Sequence, residues 1–188
     1  MIFKNGKFRS VLPEGVKFYK DSEILKLHPT IQKIDLGDNI TADRTDNGKI
    51  VILQQAKRGC TAAVAAMLIH DAGKSVNLNS LRNTNLGNTG SIKRWISEAG
   101  LIPKVTKLSL QDTTSDELLN RLQKLIESRG PAIVSTGNDI GSHVIVVDEI
   151  NTKAGSVRLR DPYHGWAITV TKEAFLRGFD GGRIIQIA

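Results

Sequence analysis

The chain contains a single cysteine, few aromatic residues and no long hydrophobic run. One cysteine among 188 residues cannot form an internal disulfide, so nothing marks an oxidising compartment. No apolar stretch reaches the roughly 20 residues that cross a bilayer, and the first ten residues lack the apolar segment of a secretory signal. The sequence therefore predicts no membrane span and a protein that is cytoplasmic or secreted without a signal peptide.

Aromatic residues make up only 5% of the chain, which supplies few stacking platforms for single-stranded nucleic acid. The net charge is +7, but the Lys and Arg residues are scattered along the chain, which favours a role in solubility over nucleic-acid binding. Zinc-finger spacing, a phosphate-binding loop and an RNA-binding signature are all missing from the sequence. We therefore expect no nucleic-acid partner, no metal and no cofactor.

What is present is typical of one folded domain with a terminal extension. Hydrophobic residues make up 40% and charged residues 24%, which is enough to form a packed core. Residues 1–49 are turn-rich and predict short strands and loops, packed on or covering a catalytic domain over residues 50–188. Within that domain, helical patterns precede five β-rich runs, so we predict an α+β fold with an antiparallel sheet.

Three helices have clear sequence signals. The alanine-rich run from Cys60 is apolar on nearly every face, which predicts a buried helix closed by Gly73. Ser91 is the predicted N-cap of a second helix. Thr114 and Glu117 have the spacing of a capping box, which predicts the start of a third helix there.

Cys60 has two alternative interpretations. It lies at the start of the buried helix, where the helix dipole favours negative charge by about 0.3–1 kcal/mol. Lys57 and Arg58, just upstream, add to this effect, and both features favour the thiolate, the nucleophilic form of cysteine. The alternative is a small, buried hydrophobic side chain, since free cysteines often have that role.

Four histidines are candidates for a catalytic base. His70 lies near the end of the helix that Cys60 begins, roughly 15 Å away at the rise of an α-helix, which excludes it. His28 and His164 are adjacent to or near prolines outside the strongest patterns. His143 opens a β-rich run after the loop "GNDIG" and is the best placed, although a purely structural role stays open.

A carboxylate partner for His143 follows from pairing two successive strands. An antiparallel hairpin that pairs Val147 with Val157 places His143 opposite Asp161, with both side chains on one face. Directly opposite Cβ atoms lie about 4.5–5.5 Å apart, within reach of a His–carboxylate hydrogen bond. The rival, Asp148, points to the opposite face of the same strand.

Three segments together resemble the papain-like cysteine peptidases, and most closely the bacteriocin-processing double-glycine peptidases. They are "LQQAKRGCTAAVAAML", "GPAIVSTGNDIGSHVIVV" and "VRLRDPYHGWAITVTKEAF", and the resemblance spans about residues 50–178. It implies a papain-like fold in which a central helix bearing Cys60 packs on the antiparallel sheet. It further implies that Cys60 is the nucleophile, His143 the base and Asp161 its partner, with Gln54 in the oxyanion hole.

The resemblance implies a peptidase that cleaves a protein or peptide substrate through a thioester intermediate. Glutamine deamidation or transamidation uses the same catalytic groups, so a deamidase or transglutaminase-like effector or toxin is the alternative. A catalytically inactive binding module on a papain-like scaffold is a third possibility of a different class. The sequence identifies neither the substrate nor an inhibitor or immunity partner.

Overall fold

The computed structural model describes most of the chain beyond its first 17 residues. The described residues are 18–37, 39–54, 59–82, 89–109, 111, 113–138, 141–179 and 181–188. The helices are a short 3-10 helix at Asp21–Glu23, then α1 (Cys60–Asp71), α2 (Leu78–Arg82), α3 (Thr89–Glu98), α4 (Ser115–Arg129) and α5 (Lys172–Gly178). The strands are β1 (Ile24–His28), β2 (Thr30–Asp35), β3 (Thr41–Thr45), β4 (Ile50–Ile52), β5 (Pro103–Ser109), β6 (Ala132–Asn138), β7 (Gly141–Asn151), β8 (Ser156–Asp161), β9 (Trp166–Thr171) and β10 (Gly181–Ile187).

The strands form two antiparallel sheets. The larger has seven strands in the order β1-β9-β8-β7-β6-β10-β5, and the smaller has three in the order β2-β3-β4. Helix α1 packs on the large sheet, where Cys60 shares a core cluster with Val144 and Val146 of β7. The predicted α+β class, with a Cys-bearing helix on an antiparallel sheet, is confirmed.

The core has two parts, one on each face of the large sheet. The first contains α1, buried residues of α3 and the strands of the small sheet, together with Val144 and Val146. The second contains α4, α5 and the alternate β7 residues, Ile145 and Val147. Strand β7 is therefore buried on both faces, which explains why its sequence reads as an apolar run without polar alternation.

Helices α1 and α4 begin and end where the sequence predicts. All α1 residues from Cys60 to Ile69 are buried, which accounts for their nearly uniform apolarity. In α4 the Thr114 side chain accepts a hydrogen bond from the Glu117 backbone N–H, and the Glu117 carboxylate accepts one from the Thr114 N–H at 2.9 Å. Gly130 follows with a φ of 82°, the backbone conformation that favours glycine after a helix.

Two details differ from the prediction. Ser91 is not the N-cap of α3, because that helix begins at Thr89 and Ser91 lies inside it, buried. Strand β5 has no counterpart among the predicted strands, since its lysines interrupt the apolar pattern. It pairs along its whole length with β10 at the edge of the sheet, which explains how a polar strand is accommodated.

The N-terminal part forms short strands, as predicted for the described residues of 1–49. Strand β1 pairs antiparallel with β9 and so completes one edge of the large sheet. Strands β2 and β3 join β4 in the small sheet. The division into an extension and a catalytic domain at residue 50 stays a prediction.

Within the part of the chain that the structure describes, no helix is long and apolar enough to cross a membrane.

A buried arginine connects helix α1 to both sheets. Arg160 of β8 is fully buried and donates to Asp71 at 2.6 Å and to Asp148 at 2.8 Å. It also donates to the Ile50 carbonyl of β4 at 2.9 Å. The ammonium of Lys49 lies 3.2 Å from Asp71, so two cations face two carboxylates. This cluster fixes the C-terminal end of α1 against the strands.

Candidate active site

The site lies at one end of the large sheet, where β7 begins and β8 ends. Cys60 is the first residue of α1, and that helix has no side-chain cap at its N-terminus. The backbone N–H groups of a first helical turn have no intrahelical acceptor, so the Cys60 amide is directed away from the helix. Cys60 and His143 are both buried, with 9% and 5% of their surface exposed.

His143 contacts both a thiol and a carboxylate. Its Nε2 lies 2.7 Å from Asp161 Oδ1, the geometry of a strong hydrogen bond. The Cys60 thiol lies beside the same ring, where it helps to raise the pKa of the imidazole. Because Asp161 occupies Nε2, Nδ1 is the nitrogen that remains for the thiol. The structure therefore brings together the three residues that the sequence predicts as nucleophile, base and carboxylate.

The predicted hairpin register, however, is wrong by two residues. Val147 pairs with Leu159 and not with Val157, and a bulge between Val147 and Glu149 shifts the rest of the ladder. His143 therefore meets Asp161 diagonally instead of directly across. A shift of two residues keeps every side chain on its face, which is why the contact survives the error.

The electrostatics of His143 favour its charged form. Burial lowers the pKa of the imidazole, but the hydrogen bonds with Asp161 and Cys60, together with the charges of these two groups, outweigh it. The resulting pKa is about 9, above the ordinary 6.5. The ring therefore holds a proton readily beside the sulfur, as a thiolate–imidazolium pair requires.

Asp161 is held by a tight local turn and is fully buried. Its Oδ1 accepts a second hydrogen bond from the Tyr163 backbone N–H at 2.8 Å. Its Oδ2 has no hydrogen-bond partner among the described residues, and His164 Nε2 lies 3.9 Å from it. One carboxylate oxygen is thus used to orient both the turn and the imidazole.

Gln54 is tied by its backbone to the loop that follows Asp161. Its N–H donates to the Pro162 carbonyl at 2.7 Å. The side chain is half-buried, and its Oε1 has no hydrogen-bond partner among the described residues. The two basic residues predicted to assist the thiolate, Lys57 and Arg58, lie outside the described residues.

An aromatic group surrounds the imidazole, and sequence reasoning missed it. The Phe18 ring stacks on His143 with centroids 4.6 Å apart and an interplanar angle of 18°. Tyr163 meets His143 edge-on at 6.0 Å. Tyr163 is part of the "DPYHGW" loop, which lies in the region of resemblance next to Asp161, so the sequence could have indicated that contact. Phe18 lies before the region of resemblance, and nothing in the sequence around it indicates a contact with His143.

The other carboxylate and histidines have structural partners. Asp148 binds Arg160 on the opposite face, as its predicted orientation requires. His28 of β1 contacts Asp46 at 3.1 Å and Thr169 at 2.9 Å, and β1 is three strands away from β7 in the large sheet. Within the described ranges, no cluster of His, Cys, Asp and Glu side chains has the form of a metal site.

Comparison with known proteins relates most of the chain to one family. The model of the peptidase C39-like family matches residues 48–180. The peptidase domain of Streptococcus ComA, a bifunctional ABC transporter involved in quorum sensing, has a TM-score of 0.59 and 20% identity, over 73% of this chain and 96% of that one. A double glycine motif protease from an AMS/PCAT transporter, solved in complex with the leader peptide, has a TM-score of 0.57 and 21% identity, over 73% and 89%. A search of curated proteins gives no significant match. The predicted papain-like fold is confirmed.

Proposed function

The chain belongs to the peptidase C39-like family, and on that premise we propose that it is a cysteine peptidase with Cys60, His143 and Asp161 as its catalytic triad. The observation that carries the proposal is the position of His143, whose Nε2 lies 2.7 Å from the Asp161 carboxylate and whose ring is near enough to Cys60 for the thiol to raise its pKa. A thiol, a base and a group that orients the base are the parts that covalent amide hydrolysis needs.

In the first half of the reaction, Cys60 Sγ attacks the carbonyl carbon of the scissile amide. The thiol proton is held on His143, and Asp161 stabilises the resulting imidazolium and keeps the ring oriented. The negative charge moves to the carbonyl oxygen. The Cys60 backbone N–H and the Gln54 side-chain amide are the donors that we assign to this oxyanion.

In the second half, the tetrahedral intermediate collapses and the C–N bond breaks. His143 gives its proton to the departing amine, and the acyl group remains on Cys60 as a thioester. Water then attacks the thioester with His143 acting as base. The thiol is regenerated and the acid product leaves, so one water is consumed for each amide cleaved.

We propose a peptide or protein segment as the substrate. The similar double glycine motif protease was solved with the leader peptide bound, which supports a peptide as the substrate here. The burial of Cys60 and His143 also favours an extended, slender segment over a bulky one, because Cys60 is only 9% exposed.

Alkylation of Cys60 as a function of pH tests the proposal. A thiol paired with an imidazolium should react with iodoacetamide well below pH 7, where an ordinary cysteine is nearly inert. The reaction should slow at least about tenfold at pH 6 in His143→Ala. His70→Ala, which changes a histidine at the far end of the same helix, is the matched control. A wild-type profile like that of free cysteine would exclude the triad.

The mass of the product then identifies the reaction. Wild type and Cys60→Ala are incubated with a library of peptides, and each product is analysed by mass spectrometry. A peptidase yields two fragments whose masses sum to the substrate plus water. An intact product carrying an acid in place of an amide would indicate deamidation and contradict the proposed peptide cleavage.

A further inference from the structure

Phe18 covers one face of the imidazole that the proposed mechanism uses. The two rings are nearly parallel, with centroids 4.6 Å apart and an interplanar angle of 18°. Phe18 itself is half-buried, whereas His143 is 5% exposed. Phe18 lies before the residues that match the family, 48–180, so this contact comes from a part of the chain outside the family model.

Several contacts hold Phe18 in this position. Its N–H donates to His164 Nε2 at 3.4 Å, and its ring meets Tyr163 edge-on at 5.4 Å. The next residue, Tyr19, is buried in the core cluster of α4 and α5. Glu23 then forms an ion pair with Arg177 of α5, in which Arg177 Nη2 donates to Glu23 Oε2 at 2.9 Å. The segment is thus fixed at both the ring and the following turn.

The remaining sides of the imidazole are also defined. Asp161 of β8 accepts from Nε2, Cys60 of α1 is near enough to raise the pKa of the ring, and Tyr163 meets the ring edge-on with centroids 6.0 Å apart. Two further titratable side chains lie beside the Phe18 ring: Tyr163 at 5.4 Å and His164, from the same loop, at 6.0 Å between centroids. Phe18 supplies an aromatic face, which attracts a cation such as the imidazolium and shields that side of the imidazole from water.

We infer that Phe18 is a positioning residue of the active site, which holds the His143 ring in plane with Cys60 and Asp161 and stabilises its protonated form through the aromatic face. The part of this inference that concerns catalysis rests on the proposed function. The geometry of the stack stands independently of that function. It makes the N-terminal segment part of the site, although the family match begins after it.

The test compares Phe18→Ala, Phe18→Leu and Phe18→Trp with wild type. Leu retains apolar bulk without an aromatic face, and Trp retains the face. Leu27→Ala is the control, since Leu27 lies in the same N-terminal segment and is 60% exposed. Two quantities are measured: the His143 pKa by NMR titration of the labelled imidazole, and the rate of Cys60 alkylation at pH 6.

We expect Phe18→Ala and Phe18→Leu to lower the His143 pKa and to slow alkylation at pH 6 by about tenfold. Phe18→Trp should stay close to wild type, as should Leu27→Ala. A wild-type His143 pKa and alkylation rate in Phe18→Leu would show that apolar bulk suffices and would overturn the inference. An unchanged His143 pKa in Phe18→Ala would also overturn it. If Phe18→Ala does not fold, the comparison of Leu with Trp decides.

The two proposals fail in different ways. If wild-type Cys60 reacts like an ordinary thiol, the proposed peptidase function fails, yet the NMR titration still reports whether Phe18 acts on His143. If Cys60 is reactive and depends on His143 but is indifferent to Phe18, only the positioning role fails.

Discussion

Arg160 and Asp161 are consecutive residues of β8, and their side chains bind partners on opposite faces of the large sheet. Arg160 binds Asp71 of helix α1, and Asp161 binds His143 of β7. Because side chains alternate along a strand, one of these neighbouring charges lies in a structural ion pair and the other contacts the histidine proposed as the base. Substitutions at these neighbouring positions should consequently have different effects, one on stability and the other on the reaction.

Replacing Asp161 with Asn should reduce activity much more than stability. Asn has nearly the same shape, but it removes the charge that raises the His143 pKa and favours the imidazolium. We expect kcat to fall by at least about a hundredfold. We also expect the His143 pKa, followed by NMR, to decrease. A variant with normal kcat would show that the charge of Asp161 is not needed to support the base.

Replacing Arg160 with Met should have the reverse effect. It leaves Asp71 and Asp148 facing each other in the interior with only Lys49 nearby, and breaking a buried ion pair costs about 3–5 kcal/mol. Urea unfolding measures the loss. Adding Asp71→Asn and Asp148→Asn should recover part of it, because the uncompensated charges are then removed.

A nearby arginine provides the control for that measurement. Arg158 is two residues away in β8 and pairs with Asp46 at 2.5 Å, where the carboxylate side chain is 31% exposed. Arg158→Met should cost less than about 1 kcal/mol, since partly exposed pairs contribute little. Equal losses at the two positions would contradict the assigned role of the buried cluster.

Stability should decrease as pH rises through the alkaline range because of His143. Its folded-state pKa of about 9 exceeds the ordinary 6.5, so the stabilisation is complete below about pH 6.5 and is lost as pH rises through 9. The full effect is about 3 kcal/mol. The difference in unfolding free energy between wild type and His143→Ala should therefore be larger at pH 6 than at pH 10. Asp161→Asn should weaken this pH dependence, since Asp161 is a main cause of the raised pKa.

Gln54→Ala should lower kcat by about 10²–10³-fold if the side-chain amide holds the oxyanion. The backbone hydrogen bond from the Gln54 N–H to the Pro162 carbonyl is retained, so the loop after Asp161 should keep its position. KM and the rate of Cys60 alkylation should change little, because neither depends on stabilising the tetrahedral intermediate. Gln123→Ala, which removes a glutamine that accepts from the Thr152 N–H, is the control.

Much of the fold could be predicted because its signals are local. The apolar helix from Cys60, the capping box at Thr114 and the β-rich runs each appear within a few residues, and the structure confirms them. The resemblance to the double-glycine peptidases is likewise confirmed by the family match. That resemblance depends on motifs around the predicted site residues, which is why these residues could be named from the sequence.

What could not be predicted depends on tertiary context. The bulge after Val147 shifts the β7–β8 ladder, and no turn residue in the sequence marks it. Arg160 could be read only as part of a strand, because its acidic partners, Asp71 and Asp148, come from other elements. Phe18 reaches His143 across most of the chain length, so no local pattern connects them.

Strand β1 has a consequence for the self-association of this protein. It covers the edge of β9, and Lys26 lies at its centre between the exposed Leu25 and Leu27. A charged residue at the border of a sheet discourages the addition of a foreign strand. A polypeptide that lacks residues 1–47 would expose the edge of β9, and we expect its copies to pair edge to edge through β9 as dimers or larger aggregates, which size-exclusion chromatography would detect.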